Sequence, residues 1–151
     1  MRSAGADDLE TLVCLMAEFY AESGYVLDRP HAADAFAALL ADARLGRVWL
    51  VEQDAAAVGY IAVTFVFAME YGGLMAVVDD FYVRPESRGA GLGTAALAEA
   101  RRACVELGAR AMRVEVGAGN AVAQAVYRSA GFAAVDHQLM TVALAEPTHV
   151  E

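Results

Sequence analysis

Apolar positions along this chain follow two rhythms, one at helical spacing and one of strand-like runs. Leu9, Leu12, Val13, Met16, Phe19 and Tyr20 return every three or four residues, which predicts a first helix over residues 8 to 22. Asp7-Asp8-Leu9-Glu10 at its start resembles a capping box. Gly24 to Pro30 reads as a loop, and Phe36, Leu39, Leu40 and Ala43 face one side of a second helix ending near Gly46. Strand-like runs follow at Arg47 to Gln53 and Ala57 to Met69, around a turn at Asp54-Ala55-Ala56, with Gly59 a candidate bulge. After the Gly72-Gly73 turn a third run, 74 to 84, completes three antiparallel strands, and Pro85 ends it. Met1 to Gly5 are poor strand formers, so a strand there is short or frayed.

Helical spacing resumes with Leu92, Ala96, Ala100, Cys104 and Leu107 and stops at Gly108. Ala111 to Val116 reads as a strand. Gly117-Ala118-Gly119-Asn120 is a loop closed by an Asn cap, and an Ala-rich helix runs to Ala130 with Gly131 as its C-cap. Beyond Phe132, residues 133 to 136 form a short segment and His137 to Leu144 the last strand.

A chain of 151 residues with 58% hydrophobic and 21% charged content describes one globular domain over 1–151, large enough for a full core without staples. No apolar run reaches membrane-spanning length and no signal-peptide pattern opens the chain, so a cytoplasmic protein with no membrane partner is expected. Cys14 and Cys104 have no paired or metal-ligand spacing and read as buried small hydrophobes. Charge is uneven: residues 1–80 hold 4 Arg against 13 acids, residues 81–151 hold 7 of each. An acidic first half disfavours nucleic acid and favours a cationic ligand.

The most informative stretch is Val83 to Thr94, between the third strand run and the helix of Leu92. Gly89, Gly91 and Gly93 alternate where that helix presents its first unpaired N–H groups, and Arg88 adds a charge, a combination suited to an anion. A dinucleotide fingerprint needs glycine where Thr94 stands, and a P-loop needs a lysine, which the chain lacks entirely. Arg88-Gly89-Ala90-Gly91-Leu92-Gly93 resembles instead the pyrophosphate loop of the GNAT superfamily of acyl-CoA-dependent N-acyltransferases. Asn120, Tyr127 and Gly131-Phe132, after the 111–116 strand, resemble that family's second signature. Together the two cover about residues 76 to 144.

The resemblance implies an α/β (α+β) domain. Its mixed, mostly antiparallel sheet has six or seven strands, splays between the fourth and fifth, and carries helices on both faces. It implies acetyl-CoA as cosubstrate, with no metal, held by the backbone of Phe81, Tyr82 and Val83, by the loop Arg88, Gly89, Ala90, Gly91, Leu92, Gly93 and Thr94, and by Asn120. A backbone N–H at or near Phe81 would polarise the thioester. Tyr127 matches the position that meets the departing thiolate.

Direct attack requires a deprotonated amine, since an alkylammonium has a pKa near about 10.4. Asp79, Asp80 and Glu115, on the strands flanking the thioester, are the candidate bases. Paired carboxylates are costly inside a strand of Val, Phe and Tyr, and a bulge could turn both toward the cleft. Val78 to Val83 is similar to the acidic pair of diamine and polyamine N-acetyltransferases. That likeness makes Asp79 the leading base, Asp80 an amine contact and Glu115 the alternative base. Tyr20, Tyr25 and Asp28, in the helices and loop that wall the family's acceptor cleft, are candidate substrate contacts. His31, His137 and His149 form no triad with a Ser or Cys. A small cationic amine is the first acceptor expected. A protein lysine or N-terminus is second, and a non-catalytic acyl-CoA binder is the competing class. Homodimers are common in the family.

Overall fold

The structure, a computed structural model, describes residues 1–145, and His149 lies outside them. One sheet runs in the order β1 (Arg2–Ser3), β2 (Gly46–Gln53), β3 (Ala56–Ala68), β4 (Gly73–Val83) and β5 (Ala111–Val114). The first three pairings are antiparallel and β4–β5 is parallel. Helices α1 (Leu9–Glu22) and α2 (Arg29–Ala41) cover one face, α3 (Leu92–Glu106) covers the other, and α4 (Ala121–Ser129) follows β5.

Side-chain alternation along β3 builds both layers of the core. Tyr60 and Ala62 pack with Leu12, Leu15 and Phe36 beneath α1 and α2, while Ile61 and Val63 pack with Ala96, Ala100 and Cys104 beneath α3. Burial pushes the Cys104 thiol up to about 11. Cys14 is only half-buried, and the Arg29 guanidinium approaches its sulfur at 3.2 Å.

Five strands are present among the described residues, not six or seven. The expected last strand is not formed: residues 133–145 carry no strand, and Val135, Leu139, Met140, Val142 and Leu144 are exposed. Strand propensity acts only through a neighbouring ladder and a buried face, and this segment has neither within the described chain.

The first strand is as short as its residues suggested. Arg2 holds it in place, bonding Asp8 at 2.7 and 2.9 Å and Glu52 at 2.9 Å. Asp8 also accepts the Gly5 N–H at 2.8 Å, and beside Arg2 its carboxyl falls from 3.8 to about 2. A lowered folded-state pKa contributes stability that is complete above the unfolded value and lost as pH falls through the folded one. Asp8→Asn is therefore expected to flatten the decline in melting temperature between pH 4 and pH 2, roughly the window between those two values. Parallel acid limbs for the two proteins would deny the contribution.

The β2–β3 turn is tighter than its letters implied. Asp54 and Ala55 both take positive φ, +51° and +64°, so two residues suffice and Ala56 already belongs to β3. The bulge falls beside Gly59, since Val51 pairs with Gly59 and Glu52 with Ala57, leaving Val58 as the extra residue.

Candidate active site

A second bulge shapes the functional edge. Asp80 lies opposite Ala62 and Val78 opposite Val63, so β4 carries one residue more than β3, and that residue is Asp79. Strict alternation would send the two carboxylates to opposite faces; the extra residue lets both line one pocket. Asp80 is half-buried and accepts the Tyr60 hydroxyl at 2.9 Å, while Asp79 is exposed. Burial, reinforced by the charge of Asp80, raises the Tyr60 phenol far above its ordinary range, so it stays a donor to that carboxylate.

The same point marks a split in the sheet. Pairing of β4 with β5 runs from Met75–Ala111 to Val78–Val114 and goes no further. From Asp79 to Val83 the β5-side edge of β4 has no strand beside it among the described residues, so backbone groups of Phe81 to Val83 face the opening. α1 and α2 border one side of this opening. On the other, Tyr127 of α4 sets its ring against Phe81 (centroids 6.4 Å apart, edge to face) and against Phe132 (5.5 Å). Its phenol is pushed up to about 12, first by burial and then by the charge of Asp80.

α4 is positioned by its two ends. Asn120 caps it by accepting the Ala123 N–H at 3.0 Å, and Gly131, at φ +93°, turns the chain so that the Phe132 N–H reaches the Tyr127 carbonyl at 3.0 Å. Arg101 of α3 donates to the Ala130 carbonyl at 3.2 Å, placing a cation at the negative end of α4.

Between β4 and α3 the chain passes through Gly89 and Gly91, both at positive φ (+87° and +80°). A Cβ built at either meets nothing within 4 Å, so the loop opens onto free space. Gly91 is the N-cap of α3 and supplies no side-chain acceptor, which leaves the first amides of a fifteen-residue helix for a ligand or water. Gly93 is different: its Cβ would stand 3.4 Å from the Phe81 ring, so its smallness serves packing.

Two carboxylates of α1 fasten this loop. Glu18 receives Arg84 through two bonds of 2.8 Å, and Glu22 receives Arg88 at 2.7 and 2.9 Å. Arg84 holds the Glu18 carboxyl below its ordinary range. Arg88 also donates to the Val83 carbonyl at 2.7 Å and stacks over the Tyr82 ring at 5.6 Å. Its guanidinium thus reinforces the bend from β4 into the loop.

A cavity of about 310 Å³ lies on the α1/α2 side of the split. Met16 and Tyr20 come from α1, and Ala32, Ala35, Phe36 and Leu39 from α2. Ala62, Asp79 and Asp80 form the sheet wall. Phe36 packs edge to face on Tyr60 at 5.7 Å, so the ring that walls the cavity also fixes the hydroxyl that holds Asp80.

Residues 13–132 match the acetyltransferase (GNAT) family. The chain belongs to the GNAT acetyltransferases. It is 46% identical to an integron cassette protein from the mobile metagenome of the Cole Harbour salt marsh, whose crystal structure aligns with a TM-score of 0.88 over 97% of this chain and 91% of that one. A possible acetyltransferase of Clostridium difficile 630 shares the fold at 24% identity, TM-score 0.85, over 96% and 97% of the two chains. So does a predicted acetyltransferase of Clostridium acetobutylicum, solved with acetyl-CoA, at 21% identity, TM-score 0.79, over 98% and 97%. No curated protein matches the chain.

In this GNAT acetyltransferase the sequence-predicted residues divide into two groups. Asp79, Asp80 and Tyr20 meet in the cavity, and Phe81, Tyr82, Val83, Tyr127 and the loop from Arg88 to Thr94 surround the split. Glu115 follows β5, is exposed and does not line the cavity. Tyr25 is 47% exposed outside the cavity, and Asp28 serves as the N-cap of α2, accepting the His31 N–H at 3.1 Å. Tyr60, Glu18 and Glu22 went unread in the sequence. Tyr60 looks like any core aromatic until the β4 bulge brings Asp80 to it, and the two glutamates sit on a helix whose apolar stripe alone carries a signal.

Proposed function

We propose that this GNAT enzyme transfers the acetyl group of acetyl-CoA to a small cationic primary amine by direct attack. One observation carries the reading. Asp79 and Asp80 line a cavity on one side of the opening beyond Val78–Val114, while Tyr127 closes the other side against Phe81. An amine entering from the cavity and a thiol leaving past Tyr127 would be on opposite sides of one carbonyl. The related structure containing acetyl-CoA supports the choice of cosubstrate.

The residues present fit that cosubstrate. The open amides from Gly89 to Thr94 suit its diphosphate, and the unladdered backbone from Phe81 to Val83, apart from the Val83 carbonyl that Arg88 holds, suits its extended arm, with Asn120 a further candidate contact. Bound there, acetyl-CoA supplies an activated acyl group. A Phe81 N–H would stabilise the developing oxyanion. Asp80, anchored by Tyr60, would hold the ammonium, whose first proton would pass through exposed Asp79 to water; after attack the nitrogen would lose a second proton by the same route as the C–S bond breaks and the coenzyme thiolate departs. Tyr127, with a pKa of about 12, keeps its proton at neutral pH. Tyr127 would therefore donate a hydrogen bond to the leaving sulfur.

Thiol release from acetyl-CoA, measured over a panel of amines and basic peptides, tests the reading. Cationic amines are expected to lead; a lead by neutral or anionic acceptors would remove it. Asp80→Asn is expected to raise the acceptor KM about tenfold or more, through loss of a charged contact, while Asp79→Asn lowers mainly kcat. Identical kinetic profiles for the two variants would cancel the division of labour.

A further inference from the structure

Resting on the reading of this cavity as the acceptor site, we infer a narrower substrate class: a primary amine with one cationic head and a compact apolar body. The cavity of about 310 Å³ lies at the lower end of the range for small-molecule sites, so a compact alkyl- or arylalkylamine suits it.

Charge is distributed just as narrowly. Asp79 and Asp80 are consecutive residues on one wall, and no other acid lines the cavity among the described residues. Opposite them stand Met16, Ala32, Phe36 and Leu39, whose side chains carry neither charge nor hydrogen-bonding oxygen or nitrogen. A first ammonium finds the carboxylates. A second, at the far end of a diamine, would lose its water against methyl groups and a ring, meet no further carboxylate and find only the Tyr20 hydroxyl. Depth comes from small residues: Ala32 and Ala62 are 1% and 4% exposed, and larger side chains at either would occupy the space. Ala35, one turn along from Ala32, is exposed and borders the cavity from outside the core.

Hexylamine and 1,5-diaminopentane differ by replacing a terminal methyl with an ammonium and so isolate this point. The expected kcat/KM, read by thiol release, favours hexylamine by about tenfold or more. Equal rates or a preference for the diamine overturn the inference. Ala35→Glu places a carboxylate at the outer rim on an exposed, helix-compatible position and is expected to narrow that ratio at least about fivefold, by pairing the distal ammonium. An unchanged ratio in a variant of native circular dichroism also overturns it. Turnover of both amines with the order reversed leaves the acetyltransferase reading intact and removes only the apolar-body claim. Binding of acetyl-CoA in calorimetry with no thiol release from either amine sinks both.

Discussion

Tyr127→Phe is expected to lower kcat about a hundredfold while leaving the affinity for coenzyme A within about twofold, at the lower end of what losing one preorganised hydrogen-bond donor costs. The ring contacts with Phe81 and Phe132 survive the change, so α4 keeps its place and only the hydroxyl is lost. What disappears is the hydrogen bond to sulfur, an interaction that strengthens as charge develops and therefore acts on turnover more than on binding. Burial keeps that phenol protonated to about pH 12, so the wild-type profile should show no loss of the donor across neutral pH. Thiol-release kinetics and calorimetry measure the two quantities separately. Equal turnover in variant and wild type would take Tyr127 out of the chemistry, and binding without turnover in both would favour a non-catalytic acyl-CoA binder.

Gly59→Ala is expected to lower the stability of the protein sharply. A Cβ at this position would come within 2.2 Å of the Tyr82 carbonyl oxygen and 2.9 Å of the Val83 Cα, and both are backbone atoms that no rotamer change can move aside. The strands must part, at a cost of about 3 kcal/mol, the upper end of the usual overpacking range. Separation would fall on the β4 residues Tyr82 and Val83, whose backbone is assigned to the coenzyme arm. A weaker affinity for coenzyme A should therefore accompany the lower melting temperature. Denaturant unfolding tests the first effect and calorimetry the second. A variant as stable as wild type would mean that the two strands already have slack at this point.

Periodicity carried most of the architecture. The stripe from Leu9 to Tyr20 and the run from Leu92 to Leu107 became α1 and α3 with ends moved by a residue or so, because an apolar face and its helix period are local properties. Asn120 and Gly131 took the cap and turn positions expected of them, since capping is also local. What could not be read depends on pairing between distant segments. The β4 bulge that turns Asp79 toward the cavity exists only as a mismatch of register with β3. Residues 137–144 have strand-like letters but no partner strand in the described chain, and letters do not name a partner. The resemblance assigns Asp28 to the acceptor and Arg88 to the coenzyme; the structure also engages Asp28 as a helix cap and Arg88 with Glu22, Val83 and Tyr82, contacts that the letters do not name.

Helix α1 belongs to both binding regions at once. Met16 and Tyr20 wall the cavity, while Glu18 and Glu22, two residues further along and so about 200° around the axis, grip Arg84 and Arg88 on the opposite flank. A diphosphate arriving at the loop competes with Glu22 for Arg88, and whatever slack this gives α1 is felt at Tyr20. Occupancy of one region thus alters the free energy of filling the other, by the same factor in either direction. Amine titrations with and without coenzyme A would expose that reciprocity, and matching isotherms would show the helix to be an inert strut.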